Sequence, residues 1–267
     1  EVLEISQFST ESFSSKEIAI KIYTTQKEEP FIKEKISAFL QKLPQWGLEV
    51  DFFSIQDRDL EEEDWLHSWQ KFFTPIQLKK IRIRPPWEEK KTGFIDLIIH
   101  PKMGFGTGQH PTTYLCLKNL EEENEHYKKI ADMGAGSGIL GAAALLLGAK
   151  EVDFFEKDPP ALESCQETLD LNFLKKKGKI YAMDLLREFE QFSQDKKYEF
   201  AFINIIAEII VELLDLSSVQ KIPVLYLTGI IEEKKHMVLE KIKETGFQIQ
   251  KEESLENWIF YKIVKKK

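Results

Sequence analysis

The stretch that decides the fold is residues 130–141, IADMGAGSGILG. An apolar segment leads into Asp132, glycines follow at positions 134, 136 and 138, and a run of small and apolar residues begins at Ile139. A strand that turns directly into a helix needs glycine where φ is positive and where the backbone approaches a ligand, and the helix N-terminus adds free N–H donors. The pattern predicts a parallel strand, a glycine-rich loop and a helix, with a nucleotide-like cofactor at the loop.

Two classes of cofactor fit this loop. Its glycines spell G-x-G-x-x-G, the dinucleotide fingerprint, and Glu156 follows Gly136 by 20 residues, where a carboxylate can bind ribose hydroxyls. However, Asp132 precedes Gly134 by two residues, and this acidic-x-G-x-G-x-G arrangement resembles motif I of the Rossmann-like S-adenosylmethionine methyltransferases. Glycines that served only helix packing would leave Asp132 and Glu156 unexplained. The pattern therefore favours S-adenosylmethionine, with NAD as the alternative.

Composition and charge limit the function classes. The 267 residues are 42% hydrophobic and 31% charged, as in an ordinary globular protein, and no stretch predicts a membrane span or a leader, so we expect a cytoplasmic protein. The formal charge of −8 argues against a protein that neutralises nucleic-acid phosphates and suits a basic protein substrate. The lysines within 175–179 and 265–267 are interpreted as a solvated loop and tail. We expect no direct nucleic-acid readout and a monomer.

Two cysteines, Cys116 and Cys165, lie outside any C-x-x-C or Cys/His cluster. They predict neither a disulfide framework nor a metal site. We interpret both as small buried hydrophobic residues.

Strand and helix signals alternate through most of the chain, which predicts a parallel sheet covered by helices on both faces. Strands are expected at IRIRPPW and FIDLIIH, and then at 129–133, 151–156, 179–183, 198–204 and 222–228. The runs FQIQKEES and NWIFYKIV, with a turn near Leu255 and Glu256, predict an antiparallel hairpin at one edge. This ending resembles the seven-stranded methyltransferase fold.

The N-terminal part predicts a separate, smaller unit. Residues 1–58 combine strand signals in VLEISQF, EIAIKIY and LEVDFFSIQ with a helix in PFIKEKISAFLQKL, a small α+β pattern of ferredoxin-like type. Residues 59–75 predict a connecting helix, with Trp65, Trp69 and Phe72 on one face. Residues 76–267 then form the larger α/β domain.

A second glycine-rich loop, MGFGTGQHPTT, precedes the first by about one helix. Its free N–H groups around Phe105, Gly106 and Thr107 suit an anion such as the carboxylate of a methionine moiety. Thr113 lies at the predicted start of the next helix. His110 could act as a base, but we interpret it as a residue that holds the loop by hydrogen bonding.

Side chains at two further strand ends complete the predicted site. Glu156 ends the second strand of the sheet, and Asp158 before Pro159 predicts a helix cap. Asn204 ends the fourth strand in FAFINIIAE. A buried asparagine there could simply satisfy loop backbone, or its side-chain carbonyl could accept a hydrogen bond from a target amine and orient the nitrogen lone pair. We predict the second role.

FGTGQHPTT, DMGAGSGIL, NIIAE and LTGIIEE, in this order and spacing, resemble the bacterial ribosomal protein L11 methyltransferases, the PrmA family. The similarity covers essentially the whole chain, including DWLHSWQKFFTPI and PPWEE. It implies a substrate-recognition domain followed by an S-adenosylmethionine-dependent domain that methylates α-amino and lysine ε-amino groups of the stalk-base protein of the large ribosomal subunit.

The resemblance places cofactor contacts at Thr113, Gly134, Glu156 and Asn204. Glu156 stands where the family usually has aspartate. Two further departures lie in the cofactor loop: alanine at 135 where cysteine or threonine is common, and glycine at 141 where alanine is usual.

Other functions stay open at this point. A nucleic-acid amine methyltransferase would be expected to carry a proline-aromatic pair after Asn204, and NIIA has no aromatic residue. A methyltransferase for another protein or a small-molecule amine, an NAD-dependent oxidoreductase and a binding module with a vestigial pocket are the remaining alternatives.

Overall fold

The computed structural model describes residues 8–14, 17–22, 29–42, 74–100, 108–123 and 127–266. The chain divides into two compact units, Glu1–Lys71 and Phe72–Lys267. The predicted strand LEVDFFSIQ, the connecting helix with Trp65, Trp69 and Phe72, and the loop residues Phe105, Gly106 and Thr107 lie outside the described residues.

The N-terminal unit contains a two-stranded antiparallel sheet and a helix. Strands β1 (Phe8–Ser14) and β2 (Glu17–Ile22) pair from Phe8 with Ile22 to Ser14 with Glu17. Helix α1 (Glu29–Lys42) follows, where the helix PFIKEKISAFLQKL was predicted. The ferredoxin-like arrangement of this unit stays a prediction.

The second unit begins with a small three-stranded sheet, in which β4 (Ile81–Arg84) pairs antiparallel with β3 (Ile76–Gln77) and parallel with β5 (Ile95–Ile98). Helix α2 (Pro111–Glu122) follows. The Glu121 carboxylate accepts hydrogen bonds from the backbone N–H groups of Lys79, Lys80 and Ile81, at 2.9, 2.8 and 2.5 Å. This contact fixes α2 to the small sheet.

The main sheet has seven strands. Parallel strands β6 (Lys129–Met133), β7 (Glu151–Glu156), β8 (Gly178–Ala182), β9 (Phe200–Asn204) and β10 (Val224–Ile231) are followed by the hairpin β11 (Phe247–Leu255) and β12 (Trp258–Lys265). Their spatial order is β11-β12-β10-β9-β6-β7-β8, with both hairpin pairings antiparallel. The predicted fold class is confirmed.

Helices connect the parallel strands, as crossover geometry requires. They are α3 (Ile139–Leu146), α4 (Pro159–Leu171), α5 (Leu185–Phe192), α6 (Ala207–Asp215) with the short α7 (Ser217–Gln220), and α8 (Lys235–Glu244) after a 3-10 turn at Glu232–Lys234. The Asp158 side chain caps α4 by accepting from the Ala161 N–H at 3.3 Å, which confirms that prediction. None of the helices in the described ranges has the length and apolar content that a membrane span requires.

Apolar side chains cover both faces of the sheet. Successive residues of a strand point to opposite faces, so Phe154 packs in the cluster under α2, α3 and α4, whereas Phe155 packs in the cluster under α5, α6 and α8. Cys116 and Cys165 are unpaired and buried, as predicted. The carboxyl ends of the parallel strands are thereby held at one edge, where open α/β sheets bind ligands.

Candidate active site

The loop between β6 and α3 has the backbone that its glycines predict. Gly134, Gly136 and Gly138 have φ of 72°, 55° and 75°, in the left-handed region that L side chains disfavour. The N–H groups of Gly134 and Ala135 both donate to the Phe155 carbonyl at 3.0 Å. The loop therefore folds over the end of β7, close to Glu156.

Asp132 braces this loop from beneath. Its side chain is buried, and Oδ2 accepts a hydrogen bond from the Gly141 N–H at 2.8 Å, in the first turn of α3. The pKa of the carboxyl is raised to about 7, chiefly by burial and also by the Glu156 charge, while the Gly141 hydrogen bond works against both. Asp132 supports the site rather than lining its cavity.

Glu156 is fixed at the end of β7 by three backbone donors. Oε2 accepts from the Gly136 N–H at 2.9 Å, and Oε1 accepts from the N–H groups of Lys157 at 2.8 Å and Asp158 at 3.1 Å. A carboxylate oxygen accepts about two hydrogen bonds, so Oε2 keeps one acceptor position for a ligand hydroxyl.

Asn204 ends β9, and the next residue, Ile205, packs closely against two glycines. A Cβ on Gly134 would stand 2.5 Å from Ile205 Cγ2, and a Cβ on Gly229 would stand 2.1 Å from the Ile205 carbonyl oxygen. The Ile205 N–H donates to the Thr228 carbonyl at 3.2 Å. The glycines of DMGAG and LTG thus allow the residues after Asn204 to pack against both neighbouring strand ends.

The Asn204 side chain is only partly buried and makes no hydrogen bond within the described residues. An asparagine that served only to satisfy loop backbone would have such bonds. Its amide is instead available to a ligand in the cavity that it lines.

These elements surround a cavity of about 730 Å³ at the carboxyl edge of the sheet. Its volume is within the range of ~300–1,000 Å³ typical of small-molecule sites. It brings together Gly134, Gly136, Glu156 and Asn204 of the predicted site. The other described lining residues are Ile99, His100, His110, Thr112, Ser137, Phe155, Lys157, Asp158, Pro160, Ala161, Ser164, Met183, Asp184, Leu185, Leu186, Ile205, Ile206, Ile209, Gly229 and Trp258.

His110 caps α2 at the wall of this cavity. Its Nδ1 accepts from the Thr112 N–H at 3.3 Å and lies 2.7 Å from Thr112 Oγ1, and its ring contacts Trp258 edge-on at 4.7 Å between centroids. Burial lowers the pKa of His110, while the nearby Glu256 charge raises it. These contacts make His110 the N-cap of α2, and its predicted role in holding the preceding loop stays a prediction.

Residues after β8 contribute a part of the cavity that the sequence analysis missed. Asp184 caps α5, its Oδ1 accepting from the Leu186 N–H at 3.1 Å, and it lines the cavity with Met183, Leu185 and Leu186. An apolar slot with one carboxylate suits a flat base with an exocyclic amine. The sequence carries a signal for Asp184, because this carboxylate lies two residues after the end of β8, much as Glu156 lies at the end of β7. Trp258, at the start of the last strand, has no such local signal.

Thr113 is buried, at 1% exposure, and does not line the cavity, whereas the adjacent Thr112 does. Within the described part of the chain, His, Cys, Asp and Glu side chains form no group of three or more that could hold a metal ion.

The strand order, the edge hairpin and a glycine loop facing a strand-end carboxylate define a Rossmann-like methyltransferase domain. The chain matches the family described as Ribosomal protein L11 methyltransferase (PrmA) over residues 2–266, and it belongs to that family. The resemblance drawn from the motifs is thereby confirmed, and the protein is a member of a methyltransferase family rather than of the NAD-dependent alternative.

The chain is also similar to individual proteins that carry the name of this family. The chain is similar to the ribosomal protein L11 methyltransferase of Staphylococcus saprophyticus, at 30% identity over 263 residues, covering 96% of this chain and 82% of that protein. It is 33% identical over 226 residues to the enzyme of the same name from Clostridium perfringens, covering 82% of this chain and 68% of that protein. The crystal structure of ribosomal protein L11 methylase from Lactobacillus delbrueckii subsp. bulgaricus superposes with a TM-score of 0.64 at 26% identity, covering 73% of this chain and all of that one.

Proposed function

We propose that this protein uses S-adenosylmethionine to methylate amino groups of ribosomal protein L11, both the N-terminal α-amine and lysine side chains. The observation that carries the proposal is that Glu156, held by three backbone donors, and Asn204, whose amide makes no hydrogen bond within the described residues, line one cavity. Family membership supports the substrate.

The described residues fit the cofactor in three places. Glu156 Oε2 has an acceptor position for a ribose hydroxyl, the slot of Met183 to Leu186 with Asp184 suits adenine, and Asn204 lies at the strand end beside them. When bound, S-adenosylmethionine supplies an electrophilic methyl group on a sulfonium. Gly134, Gly136 and the loop residues Phe105, Gly106 and Thr107 remain proposed cofactor contacts. Asp132 and Thr113 do not line the cavity, and they are proposed to belong to the cofactor site as residues that support it.

Asn204 is proposed to position the amine. An attacking amine must be neutral, and at pH 7 loss of the proton costs ~4.6 kcal/mol for a lysine of pKa ~10.4 but only ~1–1.4 kcal/mol for an α-amine of pKa ~7.7–8. The Asn204 carbonyl oxygen would accept a hydrogen bond from the neutral amine and align its lone pair, and alignment is a large part of such catalysis. Asparagine is not a base, and His110 is engaged as a helix cap, so the proton leaves to water before or during docking.

The apolar wall beside Asn204 suits the aliphatic stem of lysine. Ile206 is 61% exposed at the cavity, and Ile209 and Trp258 line the same side. Such surroundings disfavour the ammonium form and therefore lower the pKa of a lysine that enters.

The experiment is the intact mass of purified ribosomal protein L11 before and after incubation with the enzyme and S-adenosylmethionine, followed by fragmentation. Added methyl masses on the α-amine and lysines are expected. Asn204→Ala should lower turnover at saturating cofactor by ~100-fold or more. Gln194→Ala, which removes an exposed amide that does not line the cavity, should act as wild type.

Two other results would count against the proposal in different ways. Cofactor binding without any mass shift would mean that another protein or a small-molecule amine is the substrate. Binding of NADH, with no affinity for S-adenosylmethionine, would overturn the cofactor itself.

A further inference from the structure

Among the described residues, Phe173 is the most exposed of the large hydrophobic side chains. Its ring is 93% exposed, and its backbone has φ of 57°, a left-handed conformation that is rare for a bulky residue. The neighbouring Leu174 is buried, at 6% exposure. The chain therefore turns so that one apolar residue enters the core and the other is directed into solvent.

The hydrogen bonds after α4 explain the backbone of Phe173. The Phe173 N–H donates to the Asp170 carbonyl at 3.1 Å, and the Leu174 N–H donates to the Leu169 carbonyl at 2.8 Å. This is the Schellman ending of a helix, in which Phe173 occupies the position that glycine normally takes. Glycine would satisfy the same two bonds without a strained backbone or an exposed ring. Helix termination therefore does not explain the phenylalanine.

A row of lysines lies along the edge of the main sheet opposite the cavity, and its β8 end is near Phe173. Each parallel strand is preceded, within three residues, by an exposed lysine. In the spatial order β10-β9-β6-β7-β8 these are Lys221, Lys197, Lys128, Lys150 and Lys177. Adjacent strands are ~4.8 Å apart, so the row crosses about 20 Å of the edge and ends at the β8 side, where Phe173 lies.

Some of the acidic side chains on the same edge are engaged, whereas the exposed Asp195, two residues before Lys197, forms no ion pair within the described residues. Asp170 forms an ion pair with Lys175, and Glu151 lies 3.7 Å from Lys129. The Glu199 carboxylate accepts from the Lys128 N–H at 2.6 Å. Lys150 and Lys197 form no ion pair within the described residues. The edge is therefore locally basic, although the whole chain has a charge of −8.

We propose that Phe173 and the lysine row at the amino edge of the sheet bind single-stranded RNA, with a base stacked on the Phe173 ring and the phosphates along the lysines. Single-stranded nucleic acid offers both a flat face for an aromatic ring and a line of negative charges. An acidic protein surface would match the lysines but gives no particular reason for an exposed planar ring. Binding of this kind reads no base sequence, and it is independent of the methyl transfer proposed above.

The test is fluorescence anisotropy with a labelled single-stranded RNA of about 12 nucleotides, measured on the full chain without cofactor from ~50 to ~200 mM salt. Phe173→Gly should weaken binding by ~5- to 150-fold, as expected for loss of one base stack, while the thermal midpoint of the variant equals or exceeds that of wild type. The stability readout separates loss of contact from loss of folding.

The double variant Lys150→Gln and Lys197→Gln should weaken binding and reduce the slope of log affinity against log salt by ~1.4. The matched control is Lys90→Gln with Lys91→Gln, which removes the same charge from exposed residues between β4 and β5 and should bind as wild type. Equal losses in both double variants would show an effect of net charge alone and overturn the site. Three other results would also overturn the site: wild-type affinity in Phe173→Gly, absence of RNA binding at ~50 mM salt, or equally tight binding of a polyglutamate peptide. Methylation of free L11 by Phe173→Gly should be unchanged, so failure here and failure of the proposed function are distinguishable.

Discussion

The Phe154 ring fills the space in which a side chain at position 141 would lie. A Cβ built on Gly141 stands 2.3 Å from Phe154 Cε1 and 2.9 Å from Asp132 Oδ2, both well inside contact distance. The resemblance to the PrmA family made glycine at 141 a departure from the usual alanine. In this chain the glycine and the large aromatic residue on β7 are fitted to each other, and the α3 helix lies close enough for the Gly141 N–H to reach Asp132.

Gly141→Ala should therefore destabilise the protein by ~1–3 kcal/mol, as overpacking of a core does. Loss of stability should exceed any benefit from alanine's helix propensity, and it is measured by urea denaturation. The double variant with Phe154→Leu provides the control, because a smaller residue at 154 makes room for the methyl group. The two changes should then be less destabilising together than their sum; strict additivity would mean that the ring and the methyl group do not compete for space.

Replacing Glu156 by glutamine should weaken cofactor binding by roughly 10- to 100-fold, since a charged acceptor and one acceptor atom are lost. The carboxylate accepts from the backbone N–H groups of Gly136, Lys157 and Asp158. The NH₂ group of a glutamine would face one of these donors, and the hydrogen bond there would be lost. Isothermal titration with S-adenosylmethionine measures the effect. Glu163→Gln, on the exposed side of α4, is the matched control. Unchanged affinity in Glu156→Gln would remove this carboxylate from the proposed ribose contact.

Asp132→Asn should make the ligand-free protein relatively more stable as the pH rises. Burial raises the pKa of Asp132 to about 7, so the folded protein retains this proton while the unfolded chain releases it near pH ~4. Between these pH values the unfolded state binds fewer protons than the folded state. The titration of Asp132 therefore lowers the free energy of unfolding of the wild type from pH ~4 to ~7 and has no further effect above pH ~7. Asparagine has no such titration and keeps an oxygen for the Gly141 N–H.

The measurement for Asp132 is the difference in thermal midpoint between variant and wild type at a series of pH values. The difference should grow in favour of Asp132→Asn from pH ~5 to ~7 and then stay constant. A difference that is independent of pH would show that the carboxyl titrates alike in the folded and unfolded chain.

The hydrophobic pattern of the sequence, with the turn and cap residues between segments, was sufficient to predict the strands of the large sheet. The strand predicted at 151–156 has those bounds, and those predicted at 179–183 and 198–204 differ by one or two residues from β8 and β9. The last parallel strand was predicted at 222–228, whereas the observed strand begins two residues later and ends three residues later. Here Gly229, at φ of 88°, lies inside a register shift between Leu227 and Ile230, and β10 continues to Ile231.

The cavity was predictable where a polar residue ends a strand, as Glu156 and Asn204 do. It was not predictable where tertiary packing selects the side chain. Thr112 and Thr113 are adjacent residues of the same type, and only the tertiary packing of α2 decides that Thr112 lines the cavity. Trp258 reaches the site because β12 inserts antiparallel beside β10, a pairing that joins residues far apart in the chain.

His110→Asn should retain most of the methyltransferase turnover, whereas His110→Ala should lose ~1 kcal/mol of stability with the cap. Asparagine is a good N-cap and can accept from the Thr112 N–H as the His110 Nδ1 does. Burial lowers the pKa of His110, so the ring is neutral at pH 7, and a neutral imidazole at the cavity wall could act as a base and so contradict a mechanism without one. The pH–rate profiles of both variants decide between the roles. If His110 only holds the loop, turnover rises toward the pKa of the substrate amine in wild type and His110→Asn alike; if it is the base, His110→Asn loses turnover as severely as His110→Ala, and the acidic limb set by the imidazole disappears.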